Sequence, residues 1–117
     1  MYKALYLSPM VPSFEMQETV SFFTGVLQFN IGRDDKDYTI VYKDNLTVHI
    51  LKAGNEIGEM EFYLEVDNID VLWNSIKDKL ARINVREPFD REYGMREMHI
   101  IIPQTNTLLF VGQQIKT

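Results

Sequence analysis

The chain has 117 residues, 45% of them hydrophobic and 25% charged, enough for one packed core, and it lacks cysteine, which excludes disulfides and thiolate metal clusters. A formal net charge of −5 with no Lys/Arg cluster argues against a nucleic-acid partner. No stretch nears the roughly 20 apolar residues of a membrane span, and the amino-terminal apolar run is too short for a signal peptide, so a cytoplasmic location without a membrane partner is expected.

Residues 4–11 read as a strand, with Pro9 confining it to an edge or an irregular end. A helix follows from about Glu15, with Met16, Val20, Phe23 and Leu27 at helical spacing and Ser13 as the expected cap. Gly25 weakens its last turns by roughly 1 kcal/mol relative to alanine. Tyr38–Tyr42 and Leu46–Leu51 flank the turn residues Lys43-Asp44-Asn45 and form a hairpin. The polar, glycine-bearing segment Ala53–Gly58 is the expected internal boundary.

The second half follows the same order. Glu61–Val66 alternates as a strand, and Asn68 caps a helix whose apolar face is Ile69, Leu72, Trp73, Ile76 and Leu80. A strand near Ile83–Arg86 comes next. Arg96–Ile102 and Thr107–Val111 then form a closing hairpin, with Pro103 and Asn106 in its turn. Each half is strand, helix, then two or three strands: an α+β chain with an internal repeat, module one about 1–56 and module two about 57–117.

Three segments carry a likeness to a known family. Gly94-Met95-Arg96-Glu97, an apolar strand, Pro103-x-x-Asn106 and Leu108-Leu109-Phe110-Val111 resemble the closing hairpin of the glyoxalase/bleomycin-resistance (vicinal oxygen chelate) superfamily. Val20–Phe29 is similar to its first helix and exit, with Gln28 where glycine is usual, so a different exit is expected. Val66-Asp67-Asn68-Ile69-Asp70 is similar to the start of its second helix. The resemblance implies paired βαβββ modules curled into a cup, helices outside, a site on the concave face, and a homodimer.

The resemblance also fixes where metal-dependent members hold their ligands. Those four positions fall on Ser8, His49, Glu61 and Leu109. Only His49 and Glu61 keep a ligand type, whereas a catalytic divalent ion usually has about three protein ligands. No metal or other cofactor is therefore expected. The alternative is a divalent metal ion held by His49 and Glu61 with help from Tyr6, Tyr63 or Glu65.

Alternation fills the cup with Tyr6, Ser8 and Met10; Thr47, His49 and Leu51; Glu61, Tyr63 and Glu65; Glu97, His99 and Ile101; and Leu109 with Val111. The ligand-binding set is Tyr6, Ser8, Met10, His49, Leu51, Glu61, Tyr63, His99 and Leu109, with Glu61 as the candidate catalytic residue. Such a pocket suits a small organic ligand with a ring or a positive charge. Plainer roles exist too: His49 as a hydrogen-bonded core histidine, Glu61 in water at a strand start, Tyr6 and Tyr63 as sheet aromatics. Arg96 and Glu97 are expected to pair on the surface or across a dimer. The leading reading is metal-free ligand binding, as in the bleomycin-resistance branch. Its alternatives are a metal-dependent lyase, isomerase or dioxygenase with shifted ligands, and an interaction protein with a collapsed cup.

Overall fold

The computed structural model describes residues 1–115; Lys116 and Thr117, at the end of the expected second module, lie outside the described residues. The chain builds one unit twice. The first contains β1 (Met10–Ser13), α1 (Met16–Ser21), β2 (Asn30–Asp35), β3 (Tyr38–Lys43) and β4 (Leu46–Lys52). The second contains β5 (Met60–Glu65), α2 (Ile69–Ile76), β6 (Val85–Asp90), β7 (Met95–Ile101) and β8 (Thr107–Gln114). The two sheets have strand orders β1-β4-β3-β2 and β5-β8-β7-β6. In each, the first strand is parallel to the last, and a parallel pair needs a long crossover, which begins with the helix. The α+β architecture of paired βαβββ modules is thus as expected, with open sheets rather than a closed barrel.

Alternation decides what packs. Val11, Val41, Val48 and Ile50 of the first sheet are buried with Phe22, Phe23, Val26 and Leu27. In the second, Met98, Ile100, Ile102, Leu109 and Val111 are buried with Ile69, Ile76 and Leu80. Each such side chain contributes about 1.5–3 kcal/mol of burial. One face of each sheet is covered in this way. The other face carries Tyr38 and His49 in the first sheet and Tyr63, His99 and Phe110 in the second.

Three local expectations are corrected. Of the expected strand 4–11 only Met10 and Val11 fall in the paired strand, which runs on to Ser13. Met10 already lies opposite His49 and β4 begins at Leu46, so the register leaves residues before Leu7 no strand to join. Next, α1 is capped by Glu15, whose carboxylate accepts the Glu18 N–H at 3.0 Å. Ser13 instead turns inward, where it accepts the Glu15 N–H at 3.1 Å and bonds the Thr19 hydroxyl at 2.6 Å. Thr19 in turn donates to the Pro103 carbonyl at 2.8 Å, and the Phe14 N–H reaches the Gln104 carbonyl at 2.8 Å. The β7–β8 turn is thereby clipped to the start of α1, which joins the two units.

Third, the α-helical run stops at Ser21 and widens to a π turn over Phe22–Val26. The Thr24 hydroxyl bonds the Val20 carbonyl at 3.1 Å, a side-chain competition that loosens helices. Gln28 then takes φ +61°, the left-handed conformation that glycine adopts at low cost. The chain therefore makes the glycine-type exit without the glycine.

Candidate ligand site on the second sheet

The helix-free face of the first sheet follows from register. Met10, His49 and Ile40 lie abreast, with Leu51 opposite Tyr38 and Thr47 opposite Tyr42. His49 Nδ1 is 2.5 Å from the Tyr38 hydroxyl, and the rings meet edge-on at 5.7 Å. The imidazole is therefore held by a neighbour on its own sheet.

The second sheet is more elaborate. One residue from each strand falls in a single transverse row: Tyr63 opposite Phe110, Phe110 opposite His99, His99 opposite Arg86. Tyr63 and Phe110 stack at 6.2 Å, Phe110 and His99 tilt together at 4.3 Å, and Phe89 meets His99 edge-on at 5.2 Å. Between Arg86 and Phe89 the β6–β7 register shifts. That bulge puts two residues three apart on the same face, so the Arg86 guanidinium lies 3.6 Å over the Phe89 ring. Pro88 sits within the bulge, on the edge strand, where its missing N–H is tolerated.

Beside the aromatic row, on the same face and one register row along, lies Glu97, fully buried at 0% exposure. Its Oε2 accepts the hydroxyls of Tyr93 at 2.7 Å and Tyr63 at 2.9 Å. Its Oε1 faces His99 Nε2 at 3.0 Å and Arg91 Nη1 at 3.4 Å. An ionised carboxylate only accepts, so Nε2 carries the proton. Burial pushes the Glu97 carboxyl up, but the bonds from His99, Tyr93 and Tyr63, with the Arg91 charge, outweigh it and hold the group below its ordinary value. Burial and then the bond to Glu97 push the Tyr63 phenol well up; for Tyr93 the bond to Glu97 leads. The cluster thus pairs one carboxylate with the Arg91 cation and protonated phenols, and fixes the orientation of Tyr63 and His99 in the neighbouring row.

The expected site residues divide between these surfaces. Met10, His49 and Leu51 share the first sheet's free face; Glu61, Tyr63 and His99 share the second's. Tyr6, Tyr63 and Leu109 line a cavity of about 450 Å³ between the units, beside Phe23, Phe62 and Leu64. Ser8 donates to the Thr47 carbonyl at 2.7 Å. Leu109 requires correction: at 1% exposure its side chain belongs to the core, with Val111, and the free face carries Leu108, Phe110 and Gly112. Glu97 is corrected too. Arg96 does pair on the surface, with Asp70 and Asp90 at 3.0 Å each, but Glu97 is the buried centre of the cluster. Phe89, Phe110, Arg91 and Tyr93 were absent from the expected set, although Phe110 follows from counting one residue along β8.

No family model matches the sequence, and no curated protein does. Solved structures do. A glyoxalase/bleomycin resistance protein/dioxygenase from Nocardioides aligns with TM-score 0.78 and 10% identity, over 99% of this chain and 87% of that one. A bleomycin-binding protein complexed with bleomycin aligns with TM-score 0.77 and 18% identity, over 95% and 99%. Lactoylglutathione lyase from Agrobacterium tumefaciens aligns with TM-score 0.77 and 12% identity, over 95% and 94%.

The fold is that of the vicinal oxygen chelate proteins.

The positions that the resemblance assigns to a metal are Ser8, His49, Glu61 and Leu109. Leu109 has no donor atom and points into the core. The Ser8 hydroxyl is engaged with Thr47. Among the described residues no group of three or more His, Asp or Glu is arranged to hold an ion. The four positions do not fit a catalytic metal. Nor is any helix among the described residues long and apolar enough to cross a membrane.

Proposed function

We propose that this protein binds a small, ring-bearing organic molecule on the helix-free face of its second sheet, without a catalytic metal. The carrying observation is the aromatic row Tyr63–Phe110–His99, backed by Phe89 and held rigid by Glu97. Aromatic surfaces fixed before binding lose little entropy on contact, which favours affinity. Glu61 flanks the row, and Met10, His49 and Leu51 offer a second, partly apolar surface on the first sheet. A fold shared with a bleomycin-binding protein supports the reading. The role read here is sequestration, supported by the fold shared with a bleomycin-binding protein.

The protein is read as a homodimer in the cytoplasm with no nucleic-acid partner. Tyr2, Leu5, Tyr6 and Leu7 stand exposed outside any sheet, Leu7 at 98%, which gives an apolar surface for a second copy to cover. Sedimentation velocity on the intact chain and on a Leu5→Ser/Leu7→Ser variant tests this: dimer for the first and monomer for the second are expected.

Calorimetric titration with bleomycin and a panel of planar aromatic compounds tests the central claim. Binding is expected for at least one class, with a tenfold or greater loss in Phe110→Ala. A panel with no binder would overturn it. Stoichiometric bound metal that disappears in His49→Ala would overturn the metal-free part.

A further inference from the structure

The row on the second sheet has electrically unlike ends. At the β5 end stand two carboxylates, Glu61 and Glu65, on the face shared with Tyr63. At the β6 end stands Arg86, opposite His99 and stacked on Phe89. The other basic groups nearby are committed: Arg91 to Glu92 and Glu97, Arg96 to Asp70 and Asp90. Among the described residues Arg86 alone of these enters no ion pair, so its five N–H donors are not matched to a carboxylate.

The bulge makes this arrangement specific. Without the extra residue of β6, Arg86 and Phe89 would fall on opposite faces, and the guanidinium could not rest on the ring. Stacking holds the planar group near the sheet surface and leaves its N–H edge available for a flat acceptor. From Phe110 to Arg86 is two strand spacings, about 10 Å, the scale of a fused bicyclic ring with one acid substituent.

We propose that the ligand of this face is a planar aromatic anion, its ring over Phe110 and His99 and its acid group against Arg86. The acidic β5 end repels the same group, so the orientation along the row is fixed by charge at both ends. This inference rests on the reading above, that the second sheet's free face binds a ring-bearing molecule, and adds the sign and place of the ligand's charge.

The test titrates the full-length protein with three matched probes, 2-naphthoate, 2-naphthamide and 2-naphthylmethylamine. Naphthoate is expected to bind about tenfold more tightly than the amide, the scale of one charge-assisted contact at a partly exposed site. Arg86→Gln is expected to abolish that preference while the amide's affinity stays within about twofold, and Arg86→Lys to keep part of it. Equal binding of acid and amide, tightest binding of the amine, or an unchanged preference in Arg86→Gln would overturn the inference and leave the aromatic site standing. Failure of all three probes to bind, where other aromatic compounds do bind and lose affinity in Phe110→Ala, would likewise count against the inference alone. Silence from every aromatic compound would remove both.

Discussion

A β-carbon added to Gly112 would lie 1.8 Å from the Tyr63 hydroxyl oxygen and 2.6 Å from the ring carbon that bears it. Gly112 stands between Glu65 and Glu97 in the sheet, and the missing side chain is the space through which Tyr63 reaches Glu97. Gly112→Ala must therefore expel the phenol. The expected loss is about 1–3 kcal/mol, the cost of leaving a buried acceptor short of a donor. In a Tyr63→Ala background the same change should cost little. Urea denaturation of the four proteins in this cycle checks the coupling.

Glu97 sets the acid limit of stability. Its carboxyl is held below the ordinary value in the fold, so its contribution is complete above the unfolded value near 4.5 and is lost as pH falls through the lower, folded one. The Tyr63 and Tyr93 phenols are raised, so theirs is complete below about 10 and is lost at higher pH. Between those limits the cluster should make stability nearly independent of pH. Glu97→Gln should cost about 2–3 kcal/mol at pH 7, toward the low side of breaking a buried pair because Arg91 is partly exposed. The same variant should flatten the acid limb in denaturant melts from pH 3 to 7.

Leu109 and Phe110 are neighbours with opposite consequences. Leu109→Ala empties part of the core and should cost about 2–5 kcal/mol. Phe110→Ala, on the half-buried free face, should cost less stability and far more ligand affinity. Thermal melts paired with calorimetric titration separate the two, and equal effects on both readouts would contradict the facing given to β8.

The clip between the units rests on Thr19. Thr19→Val keeps the shape and removes the hydroxyl that links Ser13 to the Pro103 carbonyl, so about 1–3 kcal/mol of stability should be lost. Hydrogen exchange at the Phe14 amide, which bonds Gln104, should quicken in the same variant.

Gln28→Gly should raise stability by about 0.5–1 kcal/mol, since the exposed glutamine bears left-handed strain that glycine lacks. Chemical denaturation measures it.

Much of the fold was legible because local signals agreed. Asn68 does cap α2, its side chain accepting the Val71 N–H at 3.1 Å, and the Lys43-Asp44-Asn45 turn and the closing hairpin lie where turn chemistry placed them. The phase of β8 was not legible. Thr107-Leu108-Leu109-Phe110-Val111 is apolar on both sides, so nothing in its pattern tells core from free face. Glu97 was placed on the correct face by alternation with His99, but its burial depends on Tyr63, Arg91 and Tyr93, which join only in the folded sheet. The β6 bulge escaped for the same reason: one added residue is visible only against its partner strand.

Each half of this chain closes its own crossover and carries its own helix. Wear on one open face, for example at Tyr38 or His49, need not disturb the carboxylate cluster on the other. Such duplication lets one copy serve as the keel while the exposed side chains of the other are free to change.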